Sequence, residues 1–407
     1  MRRLAWVLLL VYAFAIPWEY SLDVGPPLGN AARIAGVLLL VVAIPAVIES
    51  GRIRAPGALQ WAALALYLFF CCSFFWTIDK AATLEKIRGF FQEMMAVWLV
   101  WEFADTPRDL RSLLRAFVAG SWVLALLTLA SFSSPEAIAA GQARFAAYGQ
   151  DPNDVARFLD IGFPLAALLE SGESRWPGRL FALGYLPAGL VAVLLTASRG
   201  GFVAAVAALA GCAAILARTH LRAVLLGFLA LPAMAAGLWL VIPHEIFYRL
   251  ATIPQQLAGG DLNQRVNIWQ AGWRAFARAP VFGTGAGTFV TAARLAPGDT
   301  AHNTLLSIAV AGGLCAVTLA VTIVVLVCRS AAGTAGHLRL ALLVALIAWA
   351  ITSLTLTVEE SRVTWLLFAI VALAGRCAEE DPAALAYCFP AHDGAGSFGG
   401  LHAESLG

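Results

Sequence analysis

The sequence predicts an all-α polytopic membrane protein of about twelve transmembrane helices. Of its 407 residues 60% are apolar and only 13% charged, and the mean hydropathy is +0.79. Apolar runs of roughly the twenty residues that a hydrocarbon core demands recur along the whole chain. Those proportions exclude a soluble globule. The runs are continuous rather than alternating, so they are not barrel strands, and open sheet cannot span lipid. A formal net charge of +2 provides no dominant polyanion-binding surface, and no nucleic-acid partner is expected.

Taken in order, the runs fall near 4–17, 31–48, 58–76, 89–104, 113–132 and 155–170, then near 179–197, 201–217, 221–242, 304–327, 338–355 and 363–375. Met1-Arg2-Arg3 and the first run resemble a signal peptide, but no small-residue cleavage site clearly follows, so this run reads as a retained first helix. With the N-terminus inside, the short inner loops collect Arg2/Arg3, Arg52/Arg54, Arg108/Arg111/Arg115, Arg175/Arg179, Arg218/Arg222, Arg329/Arg339 and Arg376, as the positive-inside bias requires. The expected organisation is therefore helices 1–9 over 1–242, an external loop over 243–303, helices 10–12 over 304–377, and a flexible cytoplasmic tail over 378–407. The seven cysteines lie within or at the ends of apolar runs, without metal-ligand spacing; neither zinc nor disulfides are expected.

External arginines are exceptions to the positive-inside bias. The chain nonetheless places Arg144, Arg157, Arg199, Arg249, Arg265, Arg274, Arg278, Arg294 and Arg362 on or near the outer face, which points to an anion held there. For most of them lipid headgroups or local ion pairs suffice. Arg199 stands in Thr196-Ala197-Ser198-Arg199-Gly200-Gly201, a connection so short that its guanidinium lies near the membrane plane. Guanidinium suits bidentate contact with phosphate, and the two glycines let backbone approach a ligand. The alternative is a snorkelling interfacial side chain.

Arg265 opens a run to Arg278 that at helical spacing puts Val266, Ile268, Trp269, Trp273 and Phe276 on one face and Asn267, Gln270, Arg274 and Arg278 on the other. It predicts an amphipathic helix on the membrane's outer surface, aromatic face down. Arg265 falls among the aromatics, so its charge points inward unless the first turn frays. The following Gly283-Thr284-Gly285-Ala286-Gly287 lacks the Lys-Ser/Thr of a phosphate-binding loop and any preceding soluble strand, and reads as a tight turn. His302-Asn303 sits where the long external loop re-enters the bilayer; an imidazole there can take a proton from a hydroxyl, and Asn303 can orient a ring or a substrate.

In that order, Ser198-Arg199-Gly200-Gly201, Arg265 to Trp269, Gly283 to Gly287 and Ala301-His302-Asn303-Thr304 resemble the O-antigen ligase and polymerase family. Phe75-Trp76-Thr77-Ile78-Asp79, Arg144 and Asp151-Pro152-Asn153 also look like family positions. The chain departs from the family at Leu305 and Ala311, where an aromatic and an acidic residue often stand. The resemblance implies a GT-C-like fold in a bacterial inner membrane, with the external loop in the periplasm. It implies a metal-independent, inverting glycosyltransferase without cofactor, moving a glycan from undecaprenyl diphosphate to lipid A-core or another glycan acceptor. Catalytic roles would fall to His302, Arg199 and Arg265, and substrate binding to Arg144, Asn153, Asn303, Gly283 and Gly285. A different class, a lipid-linked sugar transporter or flippase, stays open because Glu93, Glu102 and Asp160 lie in or beside apolar runs.

Overall fold

The computed structural model describes residues 1–25, 28–134, 144–171, 173, 175–260, 262 and 264–390. The described residues form helices and no named strand. Helix α1 (Arg2–Ala15) runs into a 3-10 turn (Ile16–Ser21), followed by α2 (Ala31–Ser50), α3 (Ala58–Ser73), α4 (Lys80–Phe103), α5 (Pro107–Phe132), α6 (Pro152–Ser171), α7 (Trp176–Leu195) and α8 (Arg199–Val241). The loop helices are α9 (His244–Ala251), α10 (Ile253–Leu257), α11 (Arg265–Arg278) and α12 (Phe289–Ala293). Last come α13 (Thr304–Gly333), α14 (Gly336–Ser353), α15 (Arg362–Glu380) and α16 (Pro382–Cys388). Side-chain oxygens of Asn30, Asp79, Thr106, Ser198 and Asn303 accept from backbone N–H groups of the first turns they precede, satisfying donors that a helix start leaves open.

Among the described residues seven helices are long and apolar enough to cross a membrane, and eight if the pair 220–230 and 232–241, bent by 48°, is one span. The expected number was about twelve. Of the remainder, α3 has only 16 residues, while α4, α6 and α15 carry charges that lower their apolarity. The reason is their position. Residues 155–170 of α6 are all buried, as are residues 363–377 of α15. Helix α6 packs against α5, α7, α8 and α14, and α15 against α4, α5 and α13, so their charged groups face protein rather than lipid.

The bundle has two ends with different chemistry. At one end Arg2 donates to Glu102 (2.9 Å), the Arg54 amide donates to Glu102 (2.8 Å), Arg115 to Glu173 (2.6 Å) and Arg179 to Glu170 (3.2 Å). Arg376 donates to the Trp101 carbonyl there (3.0 Å). Arg2, Arg54, Arg115 and Arg179, four of the basic residues expected in the inner loops, are paired with carboxylates here. Residues 378–388, expected in the tail, are mostly helical. Asp381 caps the turn at Ala384, Pro382 starts α16, and Leu385, Cys388 and Phe389 are buried. The Arg111 guanidinium donates to the Cys388 carbonyl (3.1 Å). Residues 391–407 lie outside the described residues.

Helix α13 is broken at Gly313 (φ +61°, ψ −159°), and the glycine loop repairs the break. Thr284 and Gly285 amides donate to the Val310 and Ala311 carbonyls (2.9 Å each). The Leu314 and Cys315 amides donate to the Pro280 and Val281 carbonyls (2.8 and 3.2 Å). Backbone groups freed in mid-helix must find partners where no water reaches, and residues 280–285 supply all four. Gly283 (φ +68°) is obligatory there, because a Cβ would lie 2.4 Å from the Ala311 carbonyl. Gly283→Ala is expected to cost about 3 kcal/mol, read as a lowered unfolding temperature and yield of detergent-purified protein; an unchanged temperature refutes the splice.

Candidate functional site

The other end of the bundle gathers helix starts and arginines. Ala197, with φ +47° and fully buried, turns the chain from α7 into α8. Gln264 (φ +63°) starts α11, and His302 (φ +47°) precedes the cap of α13. A left-handed backbone at non-glycine residues is uncommon and costs free energy, so three such corners, each at the entry to a helix, mark a tightly determined region.

Arg144 and Asn153 meet at the first corner. The Arg144 guanidinium donates to Asn153 Oδ1 (2.8 Å) and to the Thr196 carbonyl (3.0 Å), and Ser198 Oγ also donates to Asn153 Oδ1 (2.9 Å). Arg199 and Arg249 brace each other's backbones: Arg199 Nε donates to the Arg249 carbonyl (3.2 Å), and Arg249 Nε to that of Ala197 (3.0 Å). Burial lowers the pKa of Arg144, Arg249 and Arg265 from the ordinary arginine value. Neighbouring charge adds to this: Arg249, Arg265 and Arg199 act on Arg144; Arg199 acts on Arg249; Arg199 and Arg249 act on Arg265. Asp151 opposes the shift at Arg144 and Arg265. All remain cationic at neutral pH. Four guanidiniums therefore share one electrostatic field at the N-terminal ends of α6, α8, α11 and α13, whose backbone dipoles also favour an anion.

His302 belongs to the same field. Burial lowers its pKa from the ordinary histidine value, and the Arg265 charge lowers it further, against Asp151 and Asp299. The imidazole is thereby neutral at neutral pH. Thr300 Oγ1 lies 3.2 Å from Nδ1; with Nδ1–H donated to that hydroxyl, Nε2 keeps the lone pair that a base needs. The turn is held from three sides. Trp269 Nε1 donates to the Ala301 carbonyl (3.1 Å), Asn303 Nδ2 to Leu354 (3.3 Å) and Thr304 Oγ1 to Leu356 (2.9 Å).

Arg199, Arg265, Arg144 and His302 are thus brought together, and Asn153 holds two of the site's groups in place. Four residues expected to bind substrate have other contacts. Asn153 Oδ1 accepts from Arg144 and Ser198; Asn303 caps α13 through its Oδ1 and bonds Leu354 through its amide. Gly283 and Gly285 face Ala311, Gly312 and Thr77, not the arginines. On α11, Ile268, Trp269 and Phe276 of the expected apolar face pack against protein, and the expected polar face is exposed. The helix packs through Ala271, Gly272 and Ala275, with Gly272 close against Leu306 and Phe289, while Trp273 remains 58% exposed. Small residues let α11 approach α13 more closely than the aromatic face would. Arg249 and Asp151 were not singled out from sequence as site residues; an arginine on a short external helix was the only signal for the first.

Fold and site define a multi-pass, all-helical membrane protein with a cationic, histidine-bearing site at one end of its bundle. Residues 185–321, from α7 through the first part of α13, match the family model described as O-antigen ligase. The matched segment contains Arg199, Arg249, Arg265, the glycine loop and His302. No curated protein matches the chain.

Proposed function

We propose that this protein transfers an oligo- or polysaccharide from undecaprenyl diphosphate to an acceptor hydroxyl on the periplasmic side of the bacterial inner membrane, as an O-antigen ligase acting on lipid A-core. The observation that carries the reading is the shared field of Arg144, Arg199, Arg249 and Arg265 beside a neutral His302. All twelve apolar runs cross the bilayer in this reading, in a GT-C-like arrangement. The neutralised arginine end faces the cytoplasm.

Nε2 of His302 takes the acceptor hydroxyl's proton, the oxygen attacks the anomeric carbon, and the bond from that carbon to the diphosphate oxygen breaks with inversion. The arginines and the helix starts hold the charge that builds on the departing diphosphate; fixed charges in a partly dry site need no reorganisation at that moment. No metal is required in this scheme. The polyprenyl chain finds room in an apolar cavity of about 640 Å3 between α7 and the two parts of α8, walled by Leu183, Leu190, Leu209, Leu216 and Phe228. Both helices lead from it to the Arg199 turn.

Purified protein given a glycan on undecaprenyl diphosphate and a lipid A-core acceptor is expected to release undecaprenyl diphosphate; a transporter or flippase releases none. In a deletion strain, a lipopolysaccharide gel is expected to lose the whole O-antigen ladder while polymer stays on the carrier. Core bearing a single repeat would instead assign a polymerase, and an intact ladder with missing glycoprotein a protein O-oligosaccharyltransferase.

A further inference from the structure

A second cationic groove, lined by none of the proposed site's arginines, lies on the side formed by α1, α2 and α4. Two cavities, of about 250 Å3 and about 340 Å3, adjoin through the shared residues Arg33, Phe91 and Gln92. Their polar groups are concentrated at one end, where Arg33 opens α2, Arg88 and Gln92 lie on α4, and Arg362 opens α15. Arg362 is already neutralised by Glu19 and donates to Gln92 Oε1 (2.7 Å), which leaves the Gln92 amide with donors only. Among the described residues no carboxylate forms a salt bridge with Arg33 or Arg88.

Below this head the groove is apolar, walled by Val37, Leu40, Met95, Ala96 and Leu99. From Gln92 to Leu99 the helical rise gives a depth of roughly 10 Å, most of the half-thickness of a hydrocarbon core. The outer wall is lipid-facing in character, since Val37, Leu38, Val41, Ile44 and Ile48 on α2 are all exposed. Donors clustered above an apolar shaft match a molecule with an anionic head and hydrocarbon chains. A soluble anion matches only the head.

We propose that this groove is a binding site for an anionic membrane phospholipid, with its phosphate on Arg33 and Arg88 and an acyl chain along Val37, Leu40 and Leu99. The inference is independent of the transferase reading, because none of these residues belongs to that site. The full chain in detergent is titrated with phosphatidylglycerol, phosphatidylcholine and inorganic phosphate, and retained lipid is counted by native mass spectrometry. Phosphatidylglycerol is expected to bind the wild type, and about tenfold more weakly the R33Q/R88Q variant, as befits lost charge-assisted contacts. Equal retention by wild type and variant, equal retention of phosphatidylcholine, or full displacement by inorganic phosphate overturns the proposal. Should R33Q/R88Q fail to fold, V37W narrows the shaft from an exposed position without touching the arginines. Weaker retention by V37W then supports the site, and unchanged retention overturns it.

Discussion

His302→Ala is expected to lower glycan transfer by about 10² to 10⁴, the usual contribution of a positioned general base, while the protein accumulates normally. His302 is only partly buried, and its backbone is held by neighbours: Trp269 on the Ala301 carbonyl, and Asn303 and Thr304 on residues 354 and 356. Removing the imidazole therefore deletes the base without deleting the turn. Transfer at wild-type rate by a normally expressed variant refutes the role.

Arg265→Gln is expected to have two effects of different origin. Loss of one fixed positive charge beside the leaving diphosphate lowers the rate by about 10² to 10³, as for other preorganised charge-stabilising groups. The second effect is on His302. Its lowered pKa comes first from burial and then from Arg265, so the base form persists below the pH at which an ordinary histidine would be protonated. In the wild type the acid limb of the pH–rate profile accordingly lies below the ordinary histidine range. Without Arg265 the proton binds more readily, and the limb moves to higher pH. A rate loss with an unmoved limb would mean that Arg265 acts on substrate but is not coupled to the imidazole.

Helices were legible in the sequence because lipid imposes a length and an apolarity that a single strand of text records. Which helices lie at the centre was not: α6 reads like any other run, yet its Arg157 and Asp160 are buried by neighbours far along the chain. At the site, Arg199, Arg265 and His302 stood out because charge is costly where they occur. Arg249 did not, since its bond to Ala197 joins residues 52 positions apart. The glycine run showed the need for a tight turn, but not that the turn completes a broken helix, because that partnership depends on a kink at Gly313. For α11 the hydrophobic pattern gave the helix and its exposed polar side, Asn267, Gln270, Arg274 and Arg278, but not the closest contacts, which fall on small residues such as Gly272 and Ala275 because they permit close approach.

The splice between residues 280–285 and the break in α13 also ties the stability of the loop to that of the helix. Four backbone groups in apolar surroundings lose their partners together if either side departs, and an unmet group there costs about 2–7 kcal/mol. The segment 304–312 and the His302 corner before it thus form with residues 280–285 one cooperative unit, in which Gly283 and Gly313 depend on each other.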